Sequence, residues 1–523
     1  MFRNLLLLLA LFAATTAFSQ PYIAWQKTYG GTADETMFSM KTTFDSGFIM
    51  AGSARSNNGD VTGYQLNGDL WIAKSTSTGA LSWAKCYGGS YYDEADAVTQ
   101  TTDGGYIVAG YTNSTDGDIT SFFGDFDGWL LKLDDTGGIV WQHNYGGRGI
   151  DRLLNVIQTR DGGYLAVGGS SSRDSEVNNI HDTAFYDLWA LRLNSVGDII
   201  WSKTFGGNNN EEAWSVIEAL DGGFILSGYT SSNDGDVTRF KGGPTDFWAI
   251  RLDDTGQLVW QKTFGGTGDE QSQSMITTTD GYYVMVGNTS SNDSDVTDNH
   301  GGYDMWAVKF DGAGNLMHEK CYGGSDDDDA QAVIQNPDGG FMLAGTSFSA
   351  DGDLRINYGS GDYWVIKTDA LWEKIWQKNF GGDSTEIAFS LCNTPDGLFA
   401  LGGFTMSNNG DVSFNHGTAG TNDFWLVKFG VTPFDQVKSV TDGENTSIYP
   451  IPDAGTIHVT LNTPLIENAT ITLIDGMGRV CKTINATTGD NIINYPEMPT
   501  GVYLLQINNG AKRQSFQLVH GGR

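Results

Sequence analysis

Cysteine, proline and positive charge are scarce in this sequence of 523 residues, which has 4 cysteines, 10 prolines and 30 lysines plus arginines. Four scattered cysteines without a C-x-x-C pair provide neither a disulfide framework nor a thiolate metal or redox centre. The 63 acidic residues give a net charge of −33, which argues against nucleic acids and anionic membrane surfaces as partners. No segment after the N-terminus reaches the roughly 18 apolar residues of a membrane-spanning helix. We therefore expect no membrane span.

The N-terminus has the pattern of a secretory signal peptide. Arg3 precedes an apolar run from Leu5 to Ala14, and Ala17-Phe18-Ser19 follows as a small-residue stretch. A positively charged start, a short apolar core and an A-x-S cleavage site are typical of such peptides. We expect residues 1–19 to be a signal peptide, and a buried N-terminal helix is the alternative.

Glycine is abundant, with 70 residues, and much of it belongs to a repeat. An aromatic residue followed by two glycines occurs seven times at intervals of 58 to 60 residues, first at Tyr29-Gly30-Gly31 and last at Phe380-Gly381-Gly382. Each copy contains short stretches of alternating polarity, separated by Asp-Gly or Thr-Gly turns. This pattern predicts four antiparallel strands in each copy.

Four strands in about 58 residues is the size of one β-propeller blade. One blade cannot bury both of its faces, so the copies must stack around an axis. The seventh copy lacks a fourth strand, and Ile23–Tyr29, before the first copy, has the matching pattern. The sequence predicts an all-β fold in which residues 20–430 form a seven-bladed β-propeller of four-stranded blades, closed by the N-terminal strand.

The link between the third and fourth strands carries a further motif. It reads Leu133-Asp134-Asp135-Thr136-Gly137 before Trp141, and Leu252-Asp253-Asp254-Thr255-Gly256 before Trp260. It resembles the tryptophan-docking pattern of quinoprotein-type propellers, and the resemblance implies that the indole wedges between adjacent blades. The adjacent cysteines of quinone dehydrogenases are lacking, so their redox chemistry is not implied and no cofactor is predicted from it.

After Phe429 the repeat stops, and residues 431–446 form a predicted linker. Three motifs then follow, Ser447–Pro452, Leu473–Arg479 and Met498–Leu505. They resemble the C-terminal sorting domain of type IX secretion substrates, of the Por secretion tail type. The resemblance implies that residues 447–523 form an Ig-like β-sandwich, which the translocon binds so that the cargo becomes secreted or surface-attached. An ordinary binding sandwich is the alternative.

On one face of the predicted propeller lie the longer, acidic connections, which join consecutive blades and link the second strand to the third; we call it the long-loop face. After each Gly-Gly pair, a carboxylate marks the start of the first strand. The series is Asp34, Asp93, Asp151, Glu211, Asp269, Asp328 and Glu386. It would form a cation site or an electrostatic funnel around the channel mouth. Alternatively, each carboxylate caps backbone N–H groups of its own turn.

A second acidic series lies in the loops between the second and third strands. These loops read S-x-[DN]-[GS]-[DE]-[VIL], and their candidate ligand oxygens belong to Asp116, Asp118, Asp234, Asp236, Asp351 and Asp353. Alternating oxygens around a glycine resemble half of a calcium loop. The full calcium-loop spacing is missing, and Asx-Gly turns are the alternative. Calcium is the metal that these loops would take.

Residues that break the repeat are the best candidates for ligand contacts. They are Tyr91, Tyr92, Phe122, Phe123, Phe126, Arg148 and Arg152. Clustered aromatic rings beside charged groups suit a glycan or a protein hot spot, and packing between blades is the alternative.

These features predict a secreted or cell-surface protein, exported by type IX secretion, that serves as a non-catalytic binding or adhesion scaffold. The alternative is an extracellular hydrolase or lyase that acts on polysaccharide through carboxylates of the long-loop face. The fold hosts both classes, and no single carboxylate pair distinguishes itself in the sequence.

Overall fold

The structure is a computed structural model that describes residues 21–177, 180–181, 185–354, 356–418, 420–431, 438–439, 446–451, 456–461, 469–475, 479–495, 501–509 and 512–520. All regular elements in these ranges are β-strands. No helix long and apolar enough to cross a membrane occurs among them. The predicted signal peptide, residues 1–19, lies outside the described residues.

The repeats form four-stranded antiparallel sheets, which we number as blades 1 to 7 in chain order. Their strands are β1 (Pro21–Tyr29); β2 (Glu35–Thr42), β3 (Phe48–Ala54), β4 (Asp69–Ser75) and β5 (Leu81–Tyr87) in blade 1; β6 (Asp93–Gln100), β7 (Tyr106–Thr112), β8 (Asp127–Leu133) and β9 (Ile139–Tyr145) in blade 2; β10 (Asp151–Gln158), β11 (Tyr164–Ser170), β12 (Asp187–Leu193) and β13 (Ile199–Phe205) in blade 3; β14 (Glu211–Glu218), β15 (Phe224–Thr230), β16 (Asp246–Leu252) and β17 (Leu258–Phe264) in blade 4; β18 (Glu270–Thr277), β19 (Tyr283–Thr289), β20 (Asp304–Phe310) and β21 (Leu316–Tyr322) in blade 5; β22 (Asp328–Gln335), β23 (Phe341–Ser347), β24 (Asp362–Thr368) and β25 (Lys374–Phe380) in blade 6; β26 (Glu386–Asn393), β27 (Phe399–Thr405) and β28 (Asp423–Val431) in blade 7.

The strands of blades 1 to 6 pair in sequence order, and blade 7 has the order β1-β28-β27-β26. The first strands of successive blades contact one another, and β26 contacts β2 in the same way. The all-β, propeller-type fold of four-stranded sheets that the sequence predicts is confirmed.

The second and third strands of each blade are mostly buried, because they lie inside the sheet and are covered on both faces. Each third strand carries a fully buried tryptophan; the series is Trp71, Trp129, Trp189, Trp248, Trp306, Trp364 and Trp425. The fourth strands are at the outer edge and stay partly exposed, as in β9 and β13. The core therefore lies between the blades.

Aromatic side chains of each outer strand connect a blade to the next one. The Trp83 indole N–H donates to the backbone oxygen of Asp135, at 3.3 Å. The Tyr87 hydroxyl donates to the backbone oxygen of Gly137, at 2.7 Å. Similar indole contacts occur at Trp201 and Trp260. The indole therefore lies between blades, whereas the quinoprotein type of the repeat stays a prediction.

One junction departs from this pattern because His318 stands where the other copies have a docking tryptophan. Its ring packs edge-on against Trp372 of blade 6, with 5.5 Å between ring centroids. A cleft of about 470 Å³ remains beside His318, Glu319 and Leu371. The smaller imidazole thus fills less of the space between blades 5 and 6.

The chain divides into two compact units, one of which is Ile23–Phe429 and the other of which includes Gly430–Arg523. The second unit contains strands β29 (Lys438–Ser439), β30 (Thr446–Ile451), β31 (Thr456–Leu461), β32 (Thr470–Asp475), β33 (Val480–Asn485), β34 (Gly489–Asn494), β35 (Gly501–Asn509) and β36 (Lys512–His520). They form a five-stranded sheet, β29-β36-β35-β32-β33, and a three-stranded sheet, β30-β31-β34.

One apolar core joins these two sheets. It contains alternate residues of β31, including Ile457 and Val459, with Ile471 of β32 and Leu505 of β35. Alternation places every second side chain on the same face of a strand, so both sheets bury one face. The unit is a two-sheet β-sandwich. Of the motifs noted in the sequence, residues 452, 476–478 and 498–500 lie outside the described residues.

Candidate functional site

A buried carboxyl group closes the turn that leads into each blade. In every copy it accepts a hydrogen bond from the backbone N–H of the second glycine of the aromatic-Gly-Gly unit, at 2.6–2.9 Å. All seven residues are 0 % exposed; they are Glu35, Asp93, Asp151, Glu211, Glu270, Asp328 and Glu386. Burial raises the pKa of Asp93 to about 6 and that of Glu211 to about 7. These contacts are the ones that the turn-capping interpretation requires.

In two copies, the turn-capping carboxyl is one residue later than the sequence predicts. The glycine N–H reaches the carboxyl four positions later, which is Glu35 in copy one and Glu270 in copy five. Asp34 instead accepts a hydrogen bond from the backbone N–H of Asn422, at 3.2 Å. Asp269 accepts one from the Tyr303 hydroxyl, at 2.8 Å. Adjacent strand residues face opposite sides, so a shift of one residue removes Asp34 and Asp269 from the series.

The loop oxygens predicted as calcium ligands are hydrogen-bonded to the same turns. Asp116, Asp234 and Asp351 accept backbone N–H bonds at 2.7–2.9 Å from the residue that follows each Gly-Gly pair. Asp118, Asp236 and Asp353 accept the N–H of the first glycine, at 3.1–3.2 Å. No group of three or more His, Cys, Asp or Glu side chains arranged to hold a metal occurs among the described residues. Calcium binding stays a prediction.

A second layer of buried carboxyls, which we call the strand-three aspartates, stands at the start of each third strand. One oxygen of each accepts a backbone N–H from its own loop, as Asp362 does from Tyr358 at 2.7 Å. The other oxygen, Oδ1, is buried without a hydrogen-bond partner in all seven; they are Asp69, Asp127, Asp187, Asp246, Asp304, Asp362 and Asp423.

Each strand-three aspartate faces the turn-capping carboxyl of the next blade. A Cβ added to Gly381 would lie 2.3 Å from Asp362 Oδ1 and 2.5 Å from Glu386 Oε2, so both carboxyls approach the same glycine. Two carboxyls this close disfavour each other's ionisation. Burial, with a contribution from the partner carboxyl, raises the pKa of Asp69 to about 7 and that of Asp362 to about 6.

Three of the strand-three aspartates have a histidine partner. His181, His300 and His416 contact Asp187, Asp304 and Asp423 through Nδ1, at 2.6–2.8 Å. The hydrogen bond with Asp423 raises the pKa of His416. An imidazole nitrogen thus contacts the buried carboxyl at these three junctions.

The junction of blades 2 and 3 departs from the symmetry of the other junctions. The Arg152 guanidinium lies over the Tyr111 ring at 5.0 Å and near the Tyr186 ring at 5.9 Å from the centroid. The Tyr111 hydroxyl donates to Glu94 at 2.8 Å, and the Tyr92 hydroxyl donates to the same carboxylate. The result is a cluster in which one guanidinium lies among tyrosine rings.

Two polar atoms of this cluster are buried without a partner among the described residues, Arg152 Nε and Asp96 Oδ2. Burial, and the neighbouring charge of Glu94, raise the pKa of Asp96 well above its ordinary value, which Arg152 opposes. Burial also raises the pKa of Glu212, and Arg152 opposes this shift too. Arg152 of blade 3 therefore lies near buried carboxyls of both flanking blades, Asp96 of blade 2 and Glu212 of blade 4.

An open cleft of about 620 Å³ lies at the same junction, on the long-loop face. Its lining includes Arg148, Arg173, Asp125, Asp174 and Tyr186. The Arg148 side chain is 88 % exposed and reaches Asp174 at 3.4 Å. The Arg173 guanidinium donates to the backbone oxygen of His181, at 2.9 Å.

One wall of the cleft comes from the aromatic loop of blade 2. The backbone N–H of Asp125 donates to the oxygen of Gly149, at 3.2 Å, and Phe126 forms an isolated bridge with Ile150. The loop thus packs directly on the turn that carries Arg148. This contact joins the blade 2 loop to the turn that leads into blade 3, so it fixes the shape of the cleft wall.

The structure brings most of the repeat-breaking residues together. Tyr92, Phe126 and Arg152 surround Tyr111, whose ring centroid is 6.1 Å from that of Tyr92 and 5.6 Å from that of Phe126. Arg148 lies in the cleft. The remaining three lie on the same two loops: Tyr91 and Phe123 are 54 % and 39 % exposed, and Phe122 is half-buried.

Sequence reasoning missed six residues in and around this junction, namely Glu94, Asp96, Tyr111, Arg173 and Tyr186 of blades 2 and 3, and Glu212 of blade 4. The sequence did contain a signal for Glu94 and Glu212. Both occupy the second position of a first strand, and the residue at this position differs between blades. That position reads Thr, Glu, Arg, Glu, Gln, Asp and Ile from blade 1 to blade 7. A position that varies inside a regular repeat marks where copies differ in what they contact.

Comparison with known proteins identifies the C-terminal unit. Residues 447–520 match the family model of the secretion system C-terminal sorting domain. No curated protein gives a significant match.

Among solved structures, the chain is similar to the WD40 domain of Neurospora crassa Pan2, at 10 % identity and a TM-score of 0.42, over 77 % of this chain and 95 % of that one. It is also similar to PorZ, a surface component of the type IX secretion system of Porphyromonas gingivalis, at 9 % identity and a TM-score of 0.26, over 97 % and 87 %. A polysaccharide lyase, an ulvan lyase, aligns at 9 % identity and a TM-score of 0.42, over 72 % and 93 %. The strand pairing itself establishes the propeller-type fold. The chain thus carries the C-terminal sorting domain of type IX secretion substrates, which directs it to the cell surface or the extracellular space.

Proposed function

We propose that this protein is a non-catalytic binding or adhesion protein of the cell surface or the extracellular space, and that its propeller holds the ligand at the junction of blades 2 and 3. One observation carries the proposal. The acidic groups that recur in every blade are engaged in turns of the fold, whereas an open cleft, exposed guanidinium groups and half-buried tyrosines occur together at this one junction.

Binding surfaces of this kind combine a few polar groups with aromatic anchors. The volume of about 620 Å³ falls within the roughly 300–1,000 Å³ of small-ligand sites. Arg148 is almost fully exposed, so its guanidinium is free to meet a ligand at little desolvation cost. The regular part of the propeller then serves as a rigid frame for this junction.

The sandwich has a separate role in the proposal. Residues 447–523 engage the type IX translocon during export, and the propeller is the cargo. The predicted linker, residues 431–446, takes part in neither ligand binding nor export. Ligand binding and export are therefore expected to be separable by mutation.

A binding array that carries glycans and proteins tests the proposed function. The probe is the chain from residue 20 to residue 523, with a double variant, Arg148→Gln with Tyr186→Ala, and a control variant, Arg160→Gln. Arg160 is 57 % exposed in a blade 3 turn on the opposite face of the propeller. A ligand that binds wild type and the control but not the double variant supports the proposal. Binding that the double variant retains contradicts the location.

A second candidate function, an enzyme that acts on polysaccharide, is favoured by Asp96. A buried carboxyl with a strongly raised pKa, beside an arginine and tyrosines, is a typical candidate for acid–base chemistry. The test measures release of reducing ends or unsaturated products from bound polysaccharide, with wild type and Asp96→Asn. Turnover that depends on Asp96 would establish the enzyme, and binding without turnover favours the scaffold.

A further inference from the structure

From the cleft between blades 2 and 3 we infer the chemical class of the ligand: it is a polysaccharide with carboxylate-bearing sugar residues, a polyuronate, bound with its carboxylate on Arg148 and Arg173. This inference rests on the proposed function and adds the ligand chemistry.

First, two arginines of this acidic chain lie in the same cleft. The chain has 63 acidic and only 30 basic residues, yet Arg148 and Arg173 line the same cleft and Arg152 lies behind it. A planar guanidinium matches a carboxylate through two parallel hydrogen bonds. Repulsion from the rest of the chain decays within about 8 Å at physiological salt, so local contacts decide binding of an anion.

Second, both guanidinium groups have N–H donors beyond those that their internal contacts use. Arg148 has its contact with Asp174 through Nε at 3.4 Å, which orients the side chain and leaves its terminal nitrogens directed elsewhere. Arg173 uses Nη2 for the backbone oxygen of His181, and its Nη1 and Nε have no partner among the residues that the structure describes. A ligand carboxylate therefore finds donors from two residues without breaking an internal contact.

The third argument concerns the remainder of a sugar residue. Tyr186 is half-buried in the cleft wall, and Arg152 lies near one face of its ring. Flat aromatic rings bury the apolar face of a pyranose while its hydroxyls stay available for hydrogen bonds. The exposed carboxylate of Asp125 lines the cleft and can accept such bonds. Asp125 would repel a phosphate ion, whereas it can accept hydrogen bonds from the hydroxyl groups of a sugar residue.

Fourth, the cleft is open at the surface, and two exposed aromatic residues lie outside its lining. Tyr91 and Phe123 lie on the two neighbouring loops, 54 % and 39 % exposed. An open cleft accepts an internal residue of a polymer, whereas a closed cavity accepts only a chain end. This arrangement favours a polymer over a free monosaccharide.

Titration calorimetry of residues 20–523 with polygalacturonate tests the inference. The matched ligand is the same polymer after reduction of its carboxyl groups, and poly-glutamate represents an acidic protein segment. We expect binding of polygalacturonate, and a loss of about tenfold or more in affinity for either Arg148→Gln or Arg173→Gln. Arg160→Gln removes an equal charge from the opposite face and is expected to leave the affinity unchanged.

Three results would overturn the inference: equal binding of the carboxyl-reduced polymer, equal binding of poly-glutamate, or an equal loss of affinity in Arg160→Gln. Absence of polygalacturonate binding overturns it as well. The array described above separates this failure from that of the proposed function. A ligand of another class that depends on Arg148 and Tyr186 would leave the proposed function standing, and no ligand that depends on this junction would remove both.

Discussion

The paired buried carboxyls predict an unusual dependence of stability on pH, and Asp362 is the best place to test it. Its Oδ1 is buried without a partner and faces Glu386 across Gly381. Burial raises the pKa of Asp362 from its ordinary value of 3.8 to about 6. In Asp362→Asn the side chain keeps its shape, cannot ionise, and can place an N–H donor where Oδ1 faces the partner carboxylate.

The sign follows from proton linkage. Between pH 4 and 6 the folded state holds a proton on Asp362 that the unfolded state has released, so the stabilisation from this proton is complete below about pH 4 and is lost as the pH rises through 6. The pKa of Asp362 rises by about two units on folding, which corresponds to a change of about 3 kcal/mol in the free energy of unfolding between these pH values. Relaxation of the folded state around the charged carboxyl reduces this free energy to about half, or about 1.5 kcal/mol.

Urea unfolding at pH 4 and pH 8, at constant ionic strength, measures the effect. We expect Asp362→Asn to match wild type at pH 4 and to exceed it by about 1.5 kcal/mol in unfolding free energy at pH 8. The control is Asp338→Asn in the same blade, whose carboxylate is half exposed and paired with Lys367. A difference between wild type and Asp362→Asn that is the same at both pH values would refute the reasoning.

Three further predictions concern closure, export and calcium. Deletion of residues 20–29 removes the strand beside β28 and the Trp25 ring that packs on Phe48; we expect insolubility or a loss of about 10 °C or more in melting temperature, and an unchanged melting curve would contradict the closure. Deletion of residues 447–523 should retain a folded propeller in the periplasm, and normal surface delivery of that chain would disprove the sorting role. Calcium should raise the melting temperature only as far as ionic strength does, because the loop oxygens accept backbone N–H bonds; a saturable, calcium-specific rise that Asp234→Ala abolishes would show that they bind the metal.

The repeat made most of the fold predictable. Four alternating stretches per copy gave the four strands, and the missing last strand of copy seven pointed to Ile23–Tyr29, which indeed lies in β1. Local patterns suffice for blades 1 to 6 because each is built from strands adjacent in sequence, and only blade 7 needs the distant strand β1. In two copies the turn-capping residue was assigned one position early because two acids stand side by side, Asp34 with Glu35 and Asp269 with Glu270. The constant interval of four residues from the second glycine distinguishes them.

The candidate site was only partly predictable. Arg148 and Arg152 stood out because they break the repeat, as did the aromatic loop of blade 2. Tyr111 and Tyr186 did not, because tyrosine is common in these strands and their importance arises from the angle at which two blades meet. The unpartnered Oδ1 atoms were also invisible in the sequence, since whether a buried oxygen finds a donor depends on the neighbouring blade.

The strand order of blade 7 has a mechanical consequence. Any pulling force on the C-terminal sandwich enters the propeller through β28, which is held on one side by β27 and on the other by β1. The indole N–H of Trp425 in β28 also donates to Gln26 of β1, at 2.9 Å. Extraction of β28 would have to shear two hydrogen-bonded ladders at once, whereas an edge strand is held by only one. A protein tethered at its C-terminal end and loaded through a bound polymer would thus carry tension through one of its best-supported strands.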